Sequence, residues 1–125
     1  MTRQELKKFI QETYGITPDC PWLKYPSYEV FRHGDNKKWF AVIMDIPKAK
    51  LGINSEESIS VVNLKCDTAM IGDILSENGI YPAYHMNKAY WVTAALDGSA
   101  EAETVKMLTR ISFRLTEKKQ KRSLS

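Results

Sequence analysis

The sequence predicts an α+β domain: a two-layer sandwich of an antiparallel sheet with helices on one face, in the order α-β-β-β-α-β-α. Three observations predict it. Apolar residues recur at helical spacing near both ends and once in the middle, β-branched and aromatic runs fill the segments between, and short connections favour antiparallel neighbours. The chain has 125 residues, 43% of them hydrophobic, enough for one core. A single domain is therefore expected over residues 1–117, with a basic, disordered tail over 118–125.

Thr2 and Glu5 form a capping-box pair, and Leu6, Phe9, Ile10 and Tyr14 follow at helical spacing until Gly15 offers a stop. Pro18, Pro21 and Pro26 each bias the preceding residue away from α conformation, so residues 17–27 read as an extended connector. Trp22, Leu23 and Tyr25 would fasten it to the body. Segments 28–32 and 37–46, with Gly34-Asp35-Asn36 between them, predict a β-hairpin that Pro47 ends. Strand character resumes over 59–64. Asp67 then caps a helix with Met70, Ile71, Ile74 and Leu75 on one face, closed by Asn78-Gly79. Gly72 inside it is either a close-packing position or a weak point. After irregular residues 81–84, segment 90–96 is a fourth strand, and Asp97-Gly98 turns the chain. Ser99 is placed to cap a last helix that buries Val105, Leu108, Ile111 and Leu115.

Strand alternation assigns faces. If Phe40, Val42, Met44 and Ile46 look toward the helices, then Trp39, Ala41 and Ile43 look away. In the fourth strand Tyr90, Val92, Ala94 and Leu96 would point inward, leaving Trp91, Thr93 and Ala95 outside. An outer face with two tryptophans among small apolar residues needs a cover. The connector can supply it through Trp22 and Tyr25, or a protein partner or second copy can, which is the homodimer reading.

Lys118, Lys119, Lys121 and Arg122 crowd the end of the chain, and taking those four from 18 basic side chains leaves 14 against 15 acidic ones. The domain itself is nearly neutral, so attraction to polyanions must come from local clusters or the tail. Its longest apolar run, 39–44, is far short of the roughly 20 residues that span a bilayer. The N-terminus also lacks the apolar stretch of a signal peptide, so a cytoplasmic protein without membrane contact is expected. Cys20 and Cys66 fit neither a disulfide framework nor a zinc pair. Cys66, just before a helix start, is either an activated thiolate or a buried structural thiol. His33 and His85 have no nucleophile at an activating spacing and no metal-ligand neighbour, and no glycine-rich phosphate loop occurs. Neither an enzyme, a metal site nor a cofactor is expected.

Basic side chains remain as candidate nucleic-acid contacts. Lys106, Arg110, Arg114 and Lys118 recur every four residues along the last helix, which makes either a phosphate-following stripe or an ordinary solvated face. Arg32, His33, Lys37 and Lys38 bracket the hairpin turn, with the same two readings. The run His85-Met86-Asn87-Lys88-Ala89-Tyr90-Trp91 sets polar side chains just before an aromatic strand, as a structured turn or a ligand site.

That run, continued to Leu96-Asp97-Gly98, resembles the most recognisable segment of the MmcQ/YjbR family of small bacterial proteins, a His-x-Asn-Lys-x-x-Trp motif leading into a strand that ends in Leu-Asp-Gly. Support comes from the capped first helix, the Pro-rich connector, Phe40-Ala41, Leu64-Lys65-Cys66 and the 79–83 approach to the motif. The resemblance implies a fold related to secretion-chaperone-like and double-wing architectures, and a DNA-binding role. The leading expectation is a non-enzymatic protein that binds DNA weakly and salt-dependently, mainly through phosphates, using Lys88, Arg32, Lys37, Lys38, Lys106, Arg110 and Arg114. Its alternatives are a protein-interaction module on the open sheet face, and a small-ligand site at His85, Asn87, Lys88 and Trp91.

Overall fold

A computed structural model describes residues 1–118. The first helix, α1 (Arg3–Tyr14), starts where the capping box requires: the Thr2 hydroxyl accepts from the Glu5 backbone N–H, and the Glu5 carboxylate accepts the Thr2 N–H at 2.8 Å. Gly15 ends it at φ 69°, in the left-handed region. Leu6 and Ile10 are fully buried, each contributing about 1.5–3 kcal/mol. Arg3 bridges Glu29 and Asp45 and Lys7 reaches Glu29, which pins the helix across the sheet.

The sheet comprises β1 (Glu29–Arg32), β2 (Trp39–Pro47), β3 (Ser58–Lys65), β4 (Ile80–Pro82) and β5 (Trp91–Ala95), in spatial order β1-β2-β3-β5-β4. All its pairings are antiparallel. Helix α2 (Thr68–Ile74) lies between β3 and β4, and α3 (Ala102–Thr116) follows β5. The α+β class and the helix-covered sheet are as expected; the added strand is β4, at residues read as irregular. Ile80 and Tyr81 pair with Ala94 and Thr93. Pro82 argues against an inner strand, but β4 is a three-residue edge strand, where a missing donor costs little.

One core joins α1, α2 and α3 to Phe31, Ala41, Ile43, Val62, Leu64, Val92 and Ala94. A second, on the opposite face, holds Val30, Val42, Met44, Ile46, Ile59, Val61 and Ala95 and includes no residue of these helices. The facing expected for β2 is therefore inverted beyond Phe40. The cause is a bulge: Phe31 pairs with Ala41 and Arg32 with Trp39, so Phe40 is an extra residue. Phe40 and Ala41 both turn toward the helices, and Val42 and Met44 fall on the other side. In β5 the expected facing holds for Val92, Ala94 and Ala95, while Tyr90 precedes the strand and is half exposed.

Helix α3 also differs from expectation. Val105, Leu108, Thr109, Ser112 and Thr116 are buried, whereas Leu115 is 42% exposed. The small polar residues satisfy themselves: Ser112 donates to the Phe40 carbonyl and accepts from the Lys65 N–H, so they can pack closely against the sheet. Ser99 does not cap α3; Glu101 occupies that position, and Ser99 closes a turn on Asp97 instead. Gly72 has open space where a side chain would stand, which makes it a weak point rather than a packing contact. No described helix is long and apolar enough to cross a membrane.

Candidate ligand cleft on the helix-free face

Two segments lie over the helix-free face, the Pro-rich connector and residues 83–90. The connector is tied down by reciprocal backbone bonds between Asp19 and Val30 and by edge contacts of Trp22 with Tyr28 and Trp39. Segment 83–90 is held from beneath. Asn63, a polar residue in an apolar strand, donates to the Tyr84 carbonyl at 2.7 Å and accepts from the Thr93 hydroxyl, which in turn accepts the Tyr84 N–H. Asn63 and Thr93 are fully buried, so this network fixes the segment strongly.

Between the two segments the sheet floor stays open. The cleft has a volume of about 220 Å³; Trp22, Tyr25, Tyr28 and Trp39 form its walls, Val42, Met44 and Asn63 its floor, and His85 and Met86 its far rim. Tyr25 stacks on Tyr28 at 4.9 Å, so the walls are flat rings set at definite angles. Burial lifts the Tyr28 phenol above its ordinary pKa, with Tyr84, Tyr25 and Asp45 adding to the effect. An almost wholly apolar, ring-lined slot suits a flat ring system better than an ion.

The motif read from the sequence divides. His85 stands on the rim of the cleft at φ 58°, an uncommon conformation for a non-glycine residue. Asn87 is structural: its side chain accepts from the Ala89 N–H and its carbonyl accepts the Tyr90 and Trp91 N–H groups. Lys88 is exposed beside His85, and Trp91 lies further along the sheet, opposite Lys65 and outside the cleft lining. The outer patch that motivated a homodimer is mostly covered by the chain itself, since Thr93 and Ala95 are buried.

The candidate phosphate contacts do not form one surface. Lys106 and Arg110 lie over the Phe9 ring at 5.5 and 5.2 Å, on the helix face, with Lys106 also pairing with Glu103. Arg114 is exposed near the end of the same helix. The hairpin turn does not project. Asn36 donates to the Thr116 carbonyl, and His33 bonds the Thr116 hydroxyl while packing on Phe113, so Lys37 and Lys38 are held at the C-terminal end of α3. Because that hydroxyl already donates to the Ser112 carbonyl, the His33 Nε2 is the donor. Arg32 sits over Trp39 but is paired with Asp19. The predicted basic tail falls outside the described residues except for Lys118, which is exposed. Cys66 is the structural thiol: burial pushes its pKa up against the opposing bond from Asp67, and Cys20 is exposed.

Trp39 lies on the outer face under Trp22 of the connector, as the strand alternation predicts, whereas sequence reasoning missed Met44, Asn63 and Tyr28 as members of the site. The available signal was Asn63, a lone amide inside the apolar run of β3.

The fold and site together define a small two-layer α+β module with a ring-lined cleft on its helix-free face. The chain belongs to the YjbR family, whose profile matches residues 4–115. It is 37% identical over 116 residues to the uncharacterised protein YyaQ of Bacillus subtilis, covering 93% of this chain and 98% of that one. A Pseudomonas syringae protein of known crystal structure is similar at 45% identity and a TM-score of 0.91, over 94% of this chain and 100% of that one. A Deinococcus radiodurans protein with domain DUF419 shares the fold, at a TM-score of 0.70 and 24% identity, over 94% of this chain and 80% of its own.

Proposed function

We propose that this protein is a non-catalytic binding module that holds DNA by an unpaired base, inserted into the aromatic cleft of the helix-free face. The observation that carries the reading is the cleft itself: aromatic walls around an apolar floor, beside exposed cations. Single-strand binders combine such stacking surfaces with nearby positive charge, and every base offers a flat face to them. The duplex-phosphate reading has less support, because Lys88 and the α3 stripe lie on opposite faces of the sheet and Arg32 and Lys106 already have acidic partners.

The test compares labelled oligothymidylate with a duplex of equal length by fluorescence anisotropy at two salt concentrations. The single strand is expected to bind at least about tenfold more tightly. Trp39→Ala and Tyr25→Ala, each confirmed as folded by its melt, should each weaken it by about tenfold, with Arg110→Gln unchanged. A preference for duplex, or binding indifferent to both ring substitutions, would overturn the proposal.

A further inference from the structure

Beyond the His85 rim the same face drops into a second depression of about 470 Å³, bounded by Lys50, Lys88, Tyr81, Tyr84 and His85. We propose that this depression is an anion subsite for the phosphate of the nucleotide unit whose base occupies the aromatic cleft. The inference rests on the reading that the cleft holds a flat ring.

Four observations carry it. The depressions are contiguous, since His85 lines both. No aspartate or glutamate lines the second one, and neither Lys50 nor Lys88 forms an ion pair with a described residue, unlike Arg32, Lys48 and Lys106. The Tyr81 and Tyr84 hydroxyls make no hydrogen bond to a described residue, although their rings pack into the face. Lastly, both lysines stand on held backbone. Lys50 belongs to the 3-10 turn Lys48–Leu51, closed by Gly52 at φ 82°, and Lys88 belongs to the turn that Asn87 caps. Two lysines and two tyrosines that line one hollow without an acceptor among the described residues bring donors together there, and a phosphate supplies several acceptor oxygens. The ligand chemistry is therefore a flat ring joined to a phosphate, from a free nucleotide or from a strand.

Calorimetric titration with thymidine, thymidine monophosphate and oligothymidylate separates the two depressions. Thymidine reads the cleft alone. The monophosphate is expected to bind at least about tenfold more tightly than thymidine. The Lys50→Gln/Lys88→Gln variant should erase that advantage and leave thymidine affinity unchanged; both side chains are exposed, so folding should survive. An oligomer that outbinds the monophosphate and loses affinity in the same variant assigns the phosphate to a strand, whereas equal affinities assign it to a free nucleotide. A monophosphate no better than thymidine, or an advantage that persists in the double variant, overturns the subsite while the cleft reading stands. Failure of all three ligands to bind overturns both.

Discussion

Gly79→Ala is expected to cost about 2–5 kcal/mol and to lower the melting temperature by on the order of 10 °C or more. Gly79 is held at φ 76°, which a side chain resists, and an added Cβ would stand 2.5 Å from the Ala100 backbone nitrogen. That nitrogen belongs to the turn after β5, and Ala100 is itself buried. Relief would require moving the turn away from Gly79, whose carbonyl is itself fixed by accepting the Ala95 N–H at the end of β5. Gly72→Ala makes the internal contrast: with open space and ordinary helical backbone, it should stabilise by about 0.5–1 kcal/mol. Thermal melts of both variants check the pair, and equal effects would contradict the packing described around Gly79.

Asn63→Ala has the second largest expected effect, about 2–3 kcal/mol of stability, because it leaves the Tyr84 carbonyl and the buried Thr93 hydroxyl without their partner. The consequence reaches the site. Released at Tyr84, residues 83–90 lose the anchor that places His85 and Lys88 on the rims of the two depressions. Hydrogen exchange should therefore speed up at the Tyr84 amide, which the same network protects through Thr93. A variant with native stability and unchanged exchange at Tyr84 would show that the segment is held by other contacts.

The sequence made the scaffold readable where structure is locally determined. Thr2 with Glu5, Gly15 and Asp67 announce helix ends because capping depends on residues three or four apart. Four of the five strands appear as β-branched and aromatic runs. The faces of β2 could not be read, because nothing in Trp39-Phe40-Ala41 marks Phe40 as a bulge, and one extra residue reverses every side chain beyond it. The buried side of α3 was misjudged for a related reason. Ser112 and Thr116 look like surface residues until Phe40, Lys65 and His33 provide their hydrogen bonds across the layers.

The candidate site was legible only in part. The run from His85 to Lys88 drew notice as a dense polar stretch, and Trp22 and Tyr25 as anchors of the connector, but no local pattern joins them. They meet because Asn63 and Thr93 hold one segment over the sheet while Val30 and Trp39 hold the other. A cleft assembled from a connector, two strands and a loop is a product of register and topology, which a linear pattern does not record.

On the proposed function, ligand recognition belongs to the helix-free face and not to the basic side of α3. The most direct measurement is a titration of isotope-labelled protein with oligothymidylate, following backbone amide and tryptophan indole resonances. Saturable shifts are predicted for Trp22, Trp39, Met44, His85 and Lys88, with Lys106, Arg110 and Arg114 undisturbed. Shifts concentrated on Lys106, Arg110 and Arg114, with Trp22 and Trp39 silent, would contradict the account.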